Sequence, residues 1–192
     1  QRQQEELRLT KFAADNELNI FPEVVVMSDF DRELSVFLQA YSLGPIKPNV
    51  VLLGWPQKEE RLAPYYGHVR TIQKLGKSLV IFIDHATPVT PRQKRIDCWW
   101  RGQRNGSLMV ILAHLLMLNP EWSRTKLRLL RQVDNAAKVN DARAELEKIV
   151  SAARITADIC IPVSTAPFPE VLRRHSTDAT LIMLGLNPPR PD

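Results

Sequence analysis

Gly102-Gln103-Arg104-Asn105-Gly106 is the one closely spaced glycine pair in this chain of 192 residues. It precedes a helix-forming apolar run, so its amides could meet an anion at the helix N-terminus. Arg101 and Arg104 would add positive charge. Arg101, Gly102, Arg104 and Gly106 are therefore the candidate anion-binding residues. The plainer reading is a turn built from residues that tolerate positive φ. Neither GxGxxG nor GxxxxGK[ST] occurs, so no cofactor is assigned. Asp84-His85 stands at the end of a predicted strand and is the most catalytic-looking pair. It lacks a nucleophile with an evident partner, so no catalytic residue is assigned and no enzyme is expected. His68, His85, His114 and His175 are isolated from one another, and His114 reads as a hydrogen-bonded core residue. Cys98 and Cys160 fall within predicted strands and read as reduced, buried residues. Without a CxxC pair or a His/Cys cluster, no metal site is expected. Pro91-Arg92-Gln93-Lys94-Arg95 and Trp99-Trp100-Arg101 mix basic and aromatic residues as a single-strand binder would. Neighbouring strand residues face opposite ways, however, so Trp99 and Trp100 cannot form one stacking platform. Nucleic acid is not an expected partner.

The elements that must position these residues follow from hydrophobic periodicity. Short apolar runs predict strands near 22–27, 49–54, 78–83, 96–101, 126–132, 157–162 and 179–185. Residues 4–16 read as an amphipathic helix with Leu7, Leu9 and Phe12 as its contacts. Phe30, Leu34, Phe37, Leu38 and Tyr41 recur at helical spacing, with Ser28 as the predicted cap. Gly44 and Pro45 would end that helix. Leu62 to Ile72 forms the next helix, where Pro64 is tolerated in the first turn. Ser107 to Leu118 is a helix apolar on every side, which predicts burial all round. It is too short to span a bilayer, which takes about 20 residues. Asn140 is the predicted cap of a helix that turns Ala142, Leu146, Ile149, Val150 and Ala153 inward, and 169–175 forms a short helix.

Strands of four to six apolar residues alternating with helices predict an α/β fold of parallel βαβ units. Asn49-Val50-Val51-Leu52-Leu53-Gly54 and Thr180-Leu181-Ile182-Met183-Leu184-Gly185 have the same form, a weak internal repeat that suggests two lobes. The composition is that of an ordinary globular protein, 44% hydrophobic and 24% charged. No signal peptide or membrane-spanning run is present in these residues. The net charge of +5 is spread among 21 acidic residues and reads as a solvated surface.

Three segments carry a resemblance. Ile96-Asp97-Cys98-Trp99-Trp100, with its glycine turn and Leu-rich helix, resembles a segment of the cytosolic C-terminal domain of cation-chloride cotransporters and their prokaryotic, amino-acid-permease-like relatives. Leu43-Gly44-Pro45-Ile46-Lys47-Pro48-Asn49 and the strand running to Gly54-Trp55 resemble that family's Leu-Gly-x-x-Lys-Pro-Asn segment. Ser176 to Pro188 is similar to its late strand ending near a proline. The similarity runs in family order from about Leu18 to Pro188.

The resemblance implies two lobes of mostly parallel sheet flanked by helices, each similar to universal stress proteins. Residues 1–84 would be the later part of the first lobe, 85–95 a connector and 96–192 the second lobe. The first lobe's opening strand and helix would be missing, and Gln1 in place of Met fits a fragment. It further implies a non-catalytic regulatory and dimerisation domain at the cytoplasmic face of the cell membrane. Its partners would be a second copy and the transmembrane domain of the same transporter, which carries the ion movement. The alternative is a free-standing nucleotide-sensing module of the stress-protein kind, although no motif supports nucleotide binding.

Overall fold

The computed structural model describes residues 1–41, 47–84, 93–101 and 103–186, the side chains of Gln103 and Arg104 excepted. The chain divides into two units, Gln1–Ala86 and Thr87–Asp192. The expected helix stop at Gly44-Pro45, the His85 half of the Asp84-His85 pair and Gly102 lie outside the described residues, as does most of the expected connector.

In the first unit, α1 (Arg2–Asp15) and α2 (Phe30–Ala40) precede β1 (Val50–Gly54), α3 (Leu62–Lys74) and β2 (Ser78–Phe82). The two strands pair in parallel, with Val50 opposite Ser78 and Gly54 opposite Phe82. Leu34 and Leu38 of α2 and Ile72 of α3 are buried against Val51, Leu53 and Leu79. The alternate residues Leu52 and Phe82, on the other face of this sheet, are exposed. Asp29, not Ser28, caps α2, because its carboxylate accepts from the amides of Asp31 and Arg32. Ser28 instead donates its hydroxyl proton to Glu33. Gly76 closes α3 at φ +66°, a conformation that suits glycine.

Two further expectations fail in this unit. Residues 22–27 form no strand, and Val25 and Val26 are exposed. A β-branched run supplies propensity, but a strand needs a hydrogen-bonding neighbour. No pairing of this run occurs among the described residues, and the Val24 amide donates to the Glu6 carboxylate instead. Leu7, Leu9 and Phe12 do not pack inward either; they are exposed, and Ala13 is the buried residue of α1.

The second unit runs β3 (Arg95–Trp99), α4 (Gln103–Met117), β4 (Lys126–Leu130), α5 (Val139–Ala153), β5 (Asp158–Cys160), α6 (Phe168–Ser176) and β6 (Leu181–Leu184). Its sheet is parallel, in the order β5-β4-β3-β6. The expected fold class, two parallel-stranded α/β units, is therefore the observed one. Ile96, Cys98 and Trp100 pack with Met109, Val110 and Ala113 of α4 and Leu146 of α5. Trp99 and Leu130 pack with Val171 of α6 and Phe168. The two tryptophans thus face opposite sides of the sheet, as strand alternation requires.

Helix α4 departs from expectation twice. It begins at Gln103, so the glycine-bounded segment is its first turn. It is also not buried all round: Ile111, Leu115 and Leu118 form an outward stripe, each more than half exposed. His114 is on the outer surface too, not in the core. A helix covering one face of a sheet keeps an outer face whatever its residues, so uniform apolarity did not imply uniform burial. Helix α5 starts at Val139, placing Asn140 inside its first turn and not at the cap.

Candidate functional site

The centre of the second unit is an acid held among bases. Asp97 lies mid-strand in β3 and is fully buried. Its parallel-register partner on β4 is Arg128. The Arg128 guanidinium donates to both carboxylate oxygens, at 2.8 and 2.7 Å. It also reaches the His175 carbonyl of α6 at 2.7 Å, as a cation near a helix C-terminus should. Ser176 donates to Asp97 at 2.7 Å and accepts from the Trp99 indole at 3.0 Å. Arg95 Nε lies 3.2 Å from the same carboxylate as an ion pair. The hydrogen bonds that Arg128 donates to Asp97 hold its pKa above the ordinary value. A carboxylate so fully engaged serves to join β3, β4 and α6. Next to it, burial and then the Asp97 charge push the Cys98 thiol up to about 12, so it stays protonated and unreactive.

Above the carboxyl ends of β3, β4 and β5 opens a cavity of about 940 Å³. Ligands of open parallel sheets sit at strand carboxyl ends. Trp100 and Arg101 line it after β3, residues 131–134 after β4, Ser164 and Thr165 after β5, and Lys138, Asp141 and Glu145 from the start of α5. Gln132 ties two of these loops by donating to the Ser164 and Ala166 carbonyls, both at 2.9 Å. Six charged side chains line the space, three of each sign. Arg131 pairs with Glu145, and Lys138 with Asp134 at 2.8 Å. The Lys138 bond holds the Asp134 carboxyl below the usual range. Arg101 stacks on the Phe168 ring, 4.2 Å from its centroid. The lining offers charge and hydrogen bonds for holding a ligand. Its hydroxyls have no imidazole beside them.

The candidate anion residues do not converge here. Arg101 reaches the cavity. Gly106 is instead buried in the first turn of α4 against Trp100, where a Cβ would sit 2.0 to 2.5 Å from three ring atoms. Its φ is not positive, so the glycine serves close packing and not a turn. Arg104 belongs to α4 by its backbone, and Gly102 is outside the described residues. The sheet's order reverses between β3 and β6, where a doubly wound fold would admit a ligand. There Asn105 donates to the Leu186 carbonyl at 2.7 Å and packs against Gly185. Among the described residues no cluster of His, Cys, Asp or Glu suits a metal. Sequence reading missed the Arg128–Ser176 arrangement. Its signal was a lone arginine inside Leu127-Arg128-Leu129-Leu130: a charge on a buried strand needs a partner.

This architecture matches a solved structure, the cytoplasmic domain of a prokaryotic cation chloride cotransporter, over 94% of this chain and 70% of that one, with a TM-score of 0.71 and 18% identity. The fold is that of a cation chloride cotransporter's cytoplasmic domain. No family model matches the chain. Its sequence is 26% identical over 134 residues to potassium/chloride cotransporter 3 of Caenorhabditis elegans, covering 67% of this chain and 12% of the relative. It is 24% identical over 148 residues to cation-chloride cotransporter 1 of Arabidopsis thaliana, covering 72% and 15%. Cation-chloride cotransporter 2 of rice (Oryza sativa subsp. japonica) gives 23% over 148 residues, again 72% and 15%. The chain thus spans less than a sixth of the length of these curated relatives and is homologous to that part of them. Among its described residues no helix is long and apolar enough to cross a membrane.

Proposed function

We propose that this chain is a non-catalytic regulatory and assembly domain at the cytoplasmic face of a cation-chloride-cotransporter-like secondary transporter. Ion movement is carried by a membrane part outside these residues. One observation carries the reading: the segment similar to cotransporters is an α/β fold with no membrane-spanning helix among its described residues, and a cytoplasmic domain of such a cotransporter has the same fold. Within the domain, residues 1–84 act as the later part of a first lobe and 96–192 as a second.

Assembly is as a homodimer. Aromatic residues are enriched at interfaces, and Trp55, Tyr65, Tyr66, Trp99, Trp100 and Trp122 are the candidates in this sequence. Of these, Trp99, Trp100 and Tyr65 are core residues, and Trp122 packs against the core of the second unit. Trp55 and Tyr66 are exposed, as is the α4 stripe of Ile111, Leu115 and Leu118, and these support self-association. Light scattering over a concentration series tests it. A dimer is expected for a version extended to the membrane part; a strict monomer in both versions overturns it.

The second reading, a nucleotide-sensing module, draws on the cavity at the strand ends and on Arg101 at its rim. Calorimetry separates the two. Tight, saturable ATP or AMP binding lost in Arg101→Gln favours the sensor; weak or absent binding favours the transporter domain.

A further inference from the structure

A second cavity, of about 300 Å³, lies in the first unit at the carboxyl end of β1. Gly54 ends that strand, and a Cβ added there would meet nothing within 4 Å. Arg61, Tyr65 and His68 follow at spacings of four and three residues, which place them on one helical face. All three line the cavity, together with Gln57 and with Asp31 from the first turn of α2.

The polar groups here are organised. His68, buried, has Nε2 at 2.9 Å from Asp31 Oδ1, and Arg61 reaches the same oxygen at 3.4 Å. The His68 hydrogen bond, with the Arg61 charge, holds the Asp31 carboxyl below its usual range. Phe30 sets its ring edgewise to His68, fixing the imidazole between two helices. Tyr65 is only 7% exposed, yet its hydroxyl has no hydrogen-bond partner among the described residues. Native proteins rarely leave a buried hydroxyl unpaired, because its desolvation is then uncompensated. Burial also raises the Tyr65 pKa, so the phenol keeps its proton and is a donor.

We propose that this cavity binds a small oxyanion, a phosphate or carboxylate group, held by the Arg61 guanidinium and the Tyr65 hydroxyl. The charge inventory selects the sign. Among the described residues Asp31 is the only carboxylate lining the space, and it is already matched by Arg61 and hydrogen-bonded to His68. An anion meets the Tyr65 O–H, the remaining Arg61 N–H groups and the Gln57 amide. A cation meets none of these donors favourably. The volume is at the lower end for ligand pockets, enough for a free oxyanion or the acid end of a larger molecule. The site does not depend on the transporter reading.

Calorimetry and thermal melts of the 192-residue chain at constant ionic strength test it, with inorganic phosphate, acetate and AMP as probes. The parent is expected to bind at least one probe saturably, at a Kd near or below about 1 mM, and to melt higher in its presence. Tyr65→Phe should match or exceed the parent's melting temperature without anion, since it removes an unsatisfied hydroxyl. It should lose about tenfold or more in affinity, as should Arg61→Gln. Equal affinity for phosphate and AMP assigns the site to the free oxyanion; much tighter AMP assigns it to a phosphoryl group on a nucleotide; acetate preferred over both assigns it to a carboxylate. No saturable binding of any probe, or binding by Tyr65→Phe equal to the parent's, overturns the proposal.

Discussion

Gly106→Ala is the sharpest probe of the second unit, because two principles make opposite predictions for it. In an exposed helix, alanine is favoured over glycine by about 1 kcal/mol. Here the added Cβ would lie 2.0, 2.1 and 2.5 Å from three Trp100 ring atoms. Carbon pairs rest at about 3.5–4.0 Å, so the overlap exceeds an ångström at each contact. Trp100 cannot swing away cheaply, since it is buried among Val110, Leu129 and Leu146. Overpacking of this kind costs about 1–3 kcal/mol and sometimes more. An overlap with three atoms of a rigid ring belongs at the top of that range. After the propensity gain, the net loss is about 2 kcal/mol, or roughly 10 °C in melting temperature for a domain of this size. Circular dichroism melts would read the loss, and tryptophan fluorescence would report the displaced ring. Trp100→Leu should be destabilising alone but should cancel most of the added cost of Gly106→Ala in the double variant. A Gly106→Ala protein as stable as the parent, or more so, would refute the close helix–strand approach and return this glycine to the role of a turn residue.

Other expectations follow from the same structure. Arg128→Met leaves the Asp97 carboxylate buried without its main partner and should cost about 3–5 kcal/mol in chemical denaturation; Arg128→Met with Asp97→Leu should recover a large part of it. Leu115→Lys is on the exposed stripe and should change stability by less than about 0.5 kcal/mol, whereas Val110→Asp, one turn away but buried, should prevent stable folding. If α4 supports assembly, Leu115→Lys also lowers the dimer fraction in light scattering. The Asp31 carboxyl has a folded pKa below its ordinary 3.8. Its contribution to stability is therefore present above that ordinary value and is lost as pH falls through the lower folded pKa. Asp31→Asn should flatten this part of the acid limb in pH-dependent melts while leaving the neutral-pH curve shape unchanged.

Much of the fold is legible in the residues themselves. Six of the seven expected strands form, because runs such as Val50-Val51-Leu52-Leu53 and Leu127-Arg128-Leu129-Leu130 are flanked by turn signals and by periodic helices. The opposed faces of Trp99 and Trp100 follow from strand alternation alone. Residues 22–27 fail as a strand because local propensity says nothing about whether a neighbour is present to pair with. Helix α4 misleads for a related reason: hydropathy reports what a helix can bury, and burial is decided by what covers it. The candidate site is less legible. A glycine-flanked basic segment reads as a turn or as an anion cradle, and only the position of the Trp100 ring shows Gly106 to be a packing residue. The Asp31–His68 contact joins residues 37 positions apart, and no spacing rule links them. Asp97 and Ser176, 79 apart, are in the same position.

The central proposal is that this chain works beside a cation-coupled chloride pathway without forming it. The direct measurement is radiolabelled chloride uptake into vesicles carrying the protein encoded by the whole open reading frame, compared with a version lacking residues 1–192. The account predicts cation-dependent chloride uptake by the whole protein, and in the deletion the same ion dependence with a changed rate. Failure of the whole protein to move chloride with a cation, or a deletion indistinguishable from it in both rate and dimer fraction, would contradict the account.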